Sequence, residues 1–541
     1  FQVGNQYSKT WSFTDINYAI ASKEDKTAMF LDYSELLNAL DSGASAKITI
    51  YNRRINKAEF EKSVLLPDKA DGLDEYRHEF NKMLTAQVTG TSNSIVRERY
   101  LTVSVVKRNA DEARSYFARV GTDLVTHLAQ LSSVATELTL TERLHIFRDF
   151  FKAGEQAAAE FNIHEHARRG QHFKDWFCPD SMEFAADHFK LDARYGRVLY
   201  LQDYASYIKD SFVSELCDLD RDLMLSIDIL PVPTDEAARQ LQSTLLGVET
   251  NVANWQRRQN ANNNFTATIP YDMELQRKET KEMLDDLTTR DQRMMFGLVT
   301  LVHLADSKEQ LDSDTETLYS TARKHLCQLS TLRWQQKDGL DTVLPYGLRK
   351  IQALRTLTTE STAVLIPFRA QEIMQPNGLY YGQNAVSKNM IVADRRLLLN
   401  GNSFRLGVSG SGKSMSAKEE IVQIALSTED DILILDPESE FGYLTEALGG
   451  EVIRISATSD THINALDMDR AYGDERNPIV SKSEFVLSLF EQLIGDGMVT
   501  AKEKSILGRC TEQVYLPYIR NGYKGTPPTL QDFYRLLQMQ P

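Results

Sequence analysis

GVSGSGKSMSAKEE, Gly407 to Glu420, is the stretch that decides how the rest of the chain is read. Its first eight residues fit G-x-x-x-x-G-K-[ST], a loop that wraps phosphate. Gly407, Gly410 and Gly412 let the backbone take positive φ and come close to an oxyanion. The amides from Ser409 to Ser414 then turn inward as an anion nest, and the following helix adds its positive end. Lys413 is the residue to reach the β- and γ-phosphates of ATP, and Ser414 the one to ligate Mg²⁺. The expected nucleotide-binding set is Gly407, Ser409, Gly410, Ser411, Gly412, Lys413, Ser414 and Met415. The plainer alternative is a glycine-rich turn with an incidental lysine. An apolar stretch before the loop and an amphipathic helix after it favour phosphate.

Downstream, the pattern predicts a strand at Phe404–Val408, a helix at Lys413–Leu426, a strand at Asp431–Pro437, a helix at Tyr443–Leu448 and a strand at Glu451–Ser456. Alternating strands and helices with all-apolar strands imply a buried parallel sheet. The expected fold here is an α/β domain of RecA-like type, with three helical patterns following it. Strand DILILDP runs into DPESEF, Asp436 to Phe441. Acids at the carboxyl end of a parallel strand face the ligand crevice. Asp436-Pro437-Glu438 looks like the D-x-E of RecA-type ATPases, whose glutamate orients the attacking water. Asp436 alternatively serves as the acid on the magnesium side. A third reading makes both acids the cap of the next helix, favoured by its dipole.

Upstream, AKITIY (Ala46–Tyr51) and YLTVSVV (Tyr100–Val106) read as strands, the second followed by a helix from Asp111. LMLSIDILPVP (Leu223–Pro233) leads into a helix capped at Thr234 or Asp235, and MMFGLVTLVHLAD leads into another. Repeated strand-to-helix units suggest an α+β region over 1–380, with a break near 140–200 dividing it. QPNGLYYGQN (Gln375–Asn384) reads as the linker into the phosphate-loop domain at 390–541.

Composition narrows the function classes. A net charge of −15 over 541 residues argues against nonspecific coating of nucleic acid or anionic lipid. DNA contact is left to a local basic channel. Cys178, Cys217, Cys327 and Cys510 are scattered with no C-x-x-C, which excludes a zinc ribbon and favours a reducing compartment. The longest apolar run, Met294 to Ala305, is too short to span a bilayer as a helix. His164, His166 and His172 suggest a metal only weakly, since alternating histidines beside Arg168 and Arg169 are commonly a solvated segment. No apolar strand ending in Asp-Glu follows residue 460, so a further catalytic strand is expected beyond Pro541.

With those residues in view, the chain resembles the large ATPase of conjugative type IV secretion systems, the fourth VirB component, with TraE- and TrsE-like relatives. FTDINYAIASKED (Phe13–Asp25) is similar to that family's opening segment, LGVSGSGKSMSAKEEI to its phosphate loop, and DILILDPESEFGYL to its D-P-E-x-E strand end. HINALDM (His462–Met468) resembles its I-N-P-hydrophobic-D segment, with Ala465 where proline is usual. The resemblance implies a HerA/FtsK-type motor behind a docking region. It implies hexamers at the cytoplasmic face of the membrane beside other secretion components, and ATP turnover that drives DNA transfer or pilus assembly. Other readings of the same loop are a HerA-like DNA translocase or coupling protein, a non-catalytic nucleotide-gated docking module, and a small-molecule kinase.

Overall fold

The computed structural model describes residues 1–54, 64–90, 95–152, 168–170, 172–205, 207–262, 268–375, 377–456, 458–470, 472, 478–495 and 497–540. His164 and His166, most of Asn52–Lys62 and the end of the Asn-rich stretch at 256–266 lie outside them. The chain divides into two units, Phe1–Leu433 and Ile434–Pro541.

A twelve-stranded sheet organises the first unit. Its strands are β1 (Gln2–Val3), β2 (Gln6–Phe13), β3 (Ala44–Arg54), β4 (Ile95–Val106), β5 (Ala135–Glu137), β6 (Met182–Phe184), β7 (Phe189–Leu191), β8 (Arg194–Asp203), β9 (Leu223–Pro231), β10 (Met294–Ala305), β11 (Gln328–Thr331) and β12 (Arg355–Thr358). Their order is β1-β2-β4-β3-β9-β10-β8-β7-β6, with β5 on β2, β11 on β8 and β12 on β10. The four strands read from apolar, β-branched text form its centre. Alternate side chains feed two cores. Ile48, Ile50, Leu101, Val103, Leu225 and Ile227 lie in one, and Tyr51, Tyr100, Met224, Leu298 and Val302 in the other. Burial on both faces is why these strands read as near-continuous apolar runs.

The strand order contains a duplication. In the first half, β2, helix Lys23–Asn38, β3, β4, helix Ala110–Gln130 and β5 are laid out as β5-β2-β4-β3, with helix Asp74–Gly90 inserted between β3 and β4. In the second, β8, helix Phe212–Leu216, β9, β10, helix Lys308–Lys324 and β11 are laid out as β11-β8-β10-β9. Each is a split β-α-β-β-α-β unit. They meet at the antiparallel pair β3–β9, where Ile48 faces Ile227 and Thr49 faces Ser226. Between β9 and β10 stand two packed helices, Thr234–Ala261 and Tyr271–Thr289. A single crossover helix brings the next strand back parallel, whereas two helices return the chain to the end it left, so β10 runs antiparallel to β9. The first of these helices is capped at Pro233 without a side-chain bond, not at Thr234 or Asp235.

A strap crosses the sheet at Thr342–Leu348. Hydroxyls from successive strands donate to its carbonyls: Ser226 to Val343 (2.6 Å), Thr102 to Pro345 (3.3 Å), Ser8 to Tyr346 (3.0 Å) and Ser104 to Gly347 (3.2 Å). Lys47 Nζ donates to the Thr342 and Leu348 carbonyls and lies 3.4 Å from Asp228 in full burial. Gly347 has φ +87°, and a Cβ there would collide with the Ser104 hydroxyl. Glycine is required on both counts.

The expected parallel sheet is corrected by the structure. Among the described residues every ladder is antiparallel, apart from one isolated parallel bridge, Met374–Val392. Phe404–Val408, Asp431–Pro437 and Glu451–Ser456 form no strand. A RecA-like parallel α/β fold is therefore not what this chain adopts. The reason is physical: a strand exists through its neighbours' ladder and a covered face, and Phe404, Leu406, Leu433 and Leu435 are each about nine-tenths exposed. Gln375–Asn384, expected as a linker, contains β13 (Leu379–Gln383), which pairs antiparallel with β14 (Met390–Ala393) inside the first unit.

In the second unit, helices Pro478–Ile494, Ala501–Arg520 and Leu530–Gln538 close over Leu466, Met468, Val486, Cys510, Tyr515 and Phe533. Thr500 and Thr529 open the last two through capping boxes with Glu503 and Asp532. The His462–Met468 segment supplies two plugs of this core, and Tyr515 OH fixes it by donating to the Leu466 carbonyl at 2.6 Å. Among the described residues, no helix is long and apolar enough to cross a membrane.

Candidate functional site

The phosphate-loop text does make a loop that opens a helix. Gly410 and Gly412 have φ of +78° and +90°, the left-handed conformation that glycine adopts without penalty. Gly412 caps helix Lys413–Ser427, and among the described residues no side chain is seen to bond the first amides of that helix. Those amides and the helix dipole make an anion site by construction. Gly407 answers a different need: a Cβ on it would collide with the Ser411 hydroxyl, and the Lys413 stem lies beside it. The Ser411 amide donates to the Val408 carbonyl at 3.2 Å, so it closes the turn and is not presented to a ligand. Ser409, Gly410, Gly412 and Lys413 are exposed, Met415 is also exposed, and Ser414 is half-buried at the helix start.

The loop helix is held mainly by polar groups. Its buried residues are Glu420, Gln423 and Leu426. Glu420 is 5% exposed and takes ion pairs from Arg395 (2.5 Å) and Arg405, with the Tyr381 hydroxyl at 2.8 Å. The Gln423 amide bonds both the N–H and the C=O of Tyr380, at 2.7 and 2.8 Å, as a neighbouring strand would. At the far end, Arg77 donates from Nε to the Leu426 carbonyl at 3.0 Å, and Lys69 donates to those of Ser427 and Thr428. These cations cover carbonyls that a helix leaves unsatisfied and complement its negative end, which has no basic residue of its own. Arg77 is itself gripped by Asp71 and Asp74, and that pairing, through the Arg77 side chain first, holds the Asp71 carboxyl well below the usual range.

The acids expected beside the γ-phosphate belong to the second unit. Asp436 Oδ2 accepts the Phe441 amide at 2.8 Å at the entry to helix Gly442–Ala447. That amide is the main reason its carboxyl titrates below the ordinary value. Ser439 sits at φ +58° in the intervening turn, and Glu438 is exposed. Asp436 thus has the geometry of the capped turn. Lys413 and Ser414 lie in the first unit, Asp436 and Glu438 in the second.

Other candidates resolve into structure. His172 Nδ1 accepts the Lys174 amide at 3.2 Å, capping a short helix. Among the described residues no group of three or more His, Cys, Asp or Glu could hold a metal. Cavities of about 790 and 500 Å³ lie on the sheet, the larger lined by Phe147, Phe151, Phe177 and Leu344. Sequence reasoning missed Glu420, Arg405, Tyr381 and Arg77. Their contacts with Glu420 and with the Leu426 carbonyl span 15 to 349 residues, and no local pattern marks those. No family model matches the chain, and no curated protein is similar to it.

Proposed function

We propose that this chain binds ATP with Mg²⁺ at residues 407–415 and is an ATP-hydrolysing motor subunit of a bacterial conjugative type IV secretion machine. In this reading it works in the cytoplasm at the inner face of the membrane, as a hexamer beside other secretion components, and moves DNA or pilus subunits. The nucleotide part is carried by one observation, the left-handed turn at Gly410 and Gly412 opening directly onto a helix whose first amides no side chain caps. The secretion part rests on the resemblance of the segments at Phe13–Asp25, Leu406–Ile421, Asp431–Leu444 and His462–Met468. Lys413 offsets phosphate charge and Ser414 serves Mg²⁺.

A second reading, a nucleotide-gated docking module without turnover, is favoured by the engagement of Asp436 with the Phe441 amide. One experiment tests both. Nucleotide affinity and steady-state ATP hydrolysis are measured on this chain and on Lys413→Ala. Loss of a charged phosphate contact is expected to weaken ATP binding about tenfold or more. Turnover that vanishes in the variant supports the motor. Binding without turnover selects the docking module, and unchanged affinity in Lys413→Ala ends both readings.

A further inference from the structure

The phosphate loop has two arms. One enters along Phe404–Val408 and the other leaves as helix Lys413–Ser427. Among the described residues the entering arm has no strand partner, and its apolar side chains are exposed, so a ladder does not fix its position. An open glycine loop on a free arm would sample many widths, and ordering it would cost binding affinity. Something else has to set the width.

We infer that Glu420 sets it, as a positioning residue for nucleotide binding. Glu420 lies on the leaving helix, seven residues past Lys413, and Arg405 lies on the entering arm, two residues before Gly407. Their ion pair ties one arm to the other across the base of the loop. Glu420 is buried, which leaves its carboxylate little water to exchange for its partners. Arg395 and the Tyr381 hydroxyl bind its Oε1 while Arg405 takes Oε2, so the carboxylate is used on both oxygens. Tyr381 also fixes where the clamp stands. It belongs to β13, whose neighbouring residue Tyr380 is bonded through its backbone to Gln423, one turn further along the same helix. The clamp is thereby referred to the β13–β14 hairpin rather than to solvent. None of these groups touches phosphate. They act by holding Gly407 and Gly412 at one spacing.

This inference rests on the reading of residues 407–415 as a phosphate loop, and its test separates the two. Binding of ADP and of inorganic pyrophosphate is measured by calorimetry for the whole chain, Glu420→Gln, Arg405→Gln, their double variant, Tyr381→Phe and Lys413→Ala. Thermal midpoints are recorded alongside. Each single clamp variant is expected to lose roughly fivefold or more in affinity for both ligands, and the double variant no more than either single, a coupling of the usual size for linked groups. Arg405→Lys should recover part of the loss, because it restores the charge. Tyr381→Phe removes one hydrogen bond at the surface, so it reports even where Glu420→Gln fails to fold, and it should weaken binding measurably. Additive losses in the double variant would overturn the clamp, as would thermal midpoints that fall while affinities stay at the parent value. If Lys413→Ala alone loses binding, the loop reading stands and the clamp is wrong. If Lys413→Ala binds as the parent does, the loop reading itself has failed.

Discussion

LMLSIDILP at Leu223–Pro231 and DILILDP at Asp431–Pro437 carry nearly the same apolar text, yet Leu225 is fully buried and Leu433 is 90% exposed. The first stretch is β9, hydrogen-bonded to β3 on one side and β10 on the other. The second has no strand beside it among the described residues. A run of Ile and Leu reports that a segment is able to pack as a strand; the partner is supplied from elsewhere in the chain, here from residues about 70 to 180 positions away. The polar residues within the two stretches differ in the same way. Asp228 is buried against Lys47, while Asp436 is only half-buried and accepts the Phe441 amide in the turn that follows it.

Breaking that contrast is expected to be costliest at the buried pair. Lys47→Met leaves Asp228 as an uncompensated charge inside the sheet, and unfolding of the first unit should become easier by about 3–5 kcal/mol. Adding Asp228→Leu to it should restore most of the loss, read by denaturant titration. A double variant as weak as the single would mean that Lys47 matters through the strap carbonyls alone. The next effect compares like with like. Leu225→Ala should cost about 2–5 kcal/mol through its cavity, while Leu433→Ala should stay within about 0.5 kcal/mol. Equal losses would show that the Asp431–Pro437 segment is covered in solution.

A smaller effect sharpens the comparison through pH. Burial, with Arg197 nearby, lowers the His303 imidazole from 6.5 to about 3. The unfolded chain therefore binds the extra proton between those values, and stability present above pH 6.5 is lost as pH falls toward 3. The loss should reach on the order of 2 kcal/mol by pH 5. Comparing denaturation of the parent and His303→Gln between pH 7 and 5 checks it; identical pH slopes would remove His303 from the explanation.

The central strands and the helices were largely legible, because burial on two faces and helical periodicity leave local marks. AKITIY, YLTVSVV, LMLSIDILP and MMFGLVTLVHLA all lie in strands, and the helix after Lys413 begins where glycine and lysine place it. The directions of those strands were not legible. They depend on partners far along the chain, and on which strand slips between two others, as β8 does between β10 and β11. At the site, the loop glycines were legible from their spacing. The clamp on Glu420 was not, since Arg405 and Glu420 are ordinary charges until the fold brings them together.

The strap has a consequence for the order in which this molecule is made. Its residues, Thr342–Leu348, are translated after every strand whose hydroxyls it covers. Until they emerge from the ribosome, Ser8, Thr102, Ser104, Ser226 and Lys47 lack the strap carbonyls as acceptors. The nascent sheet is therefore wet along one line across its two duplicated halves. It is covered only once a segment with one indispensable glycine lies down across the seam between them.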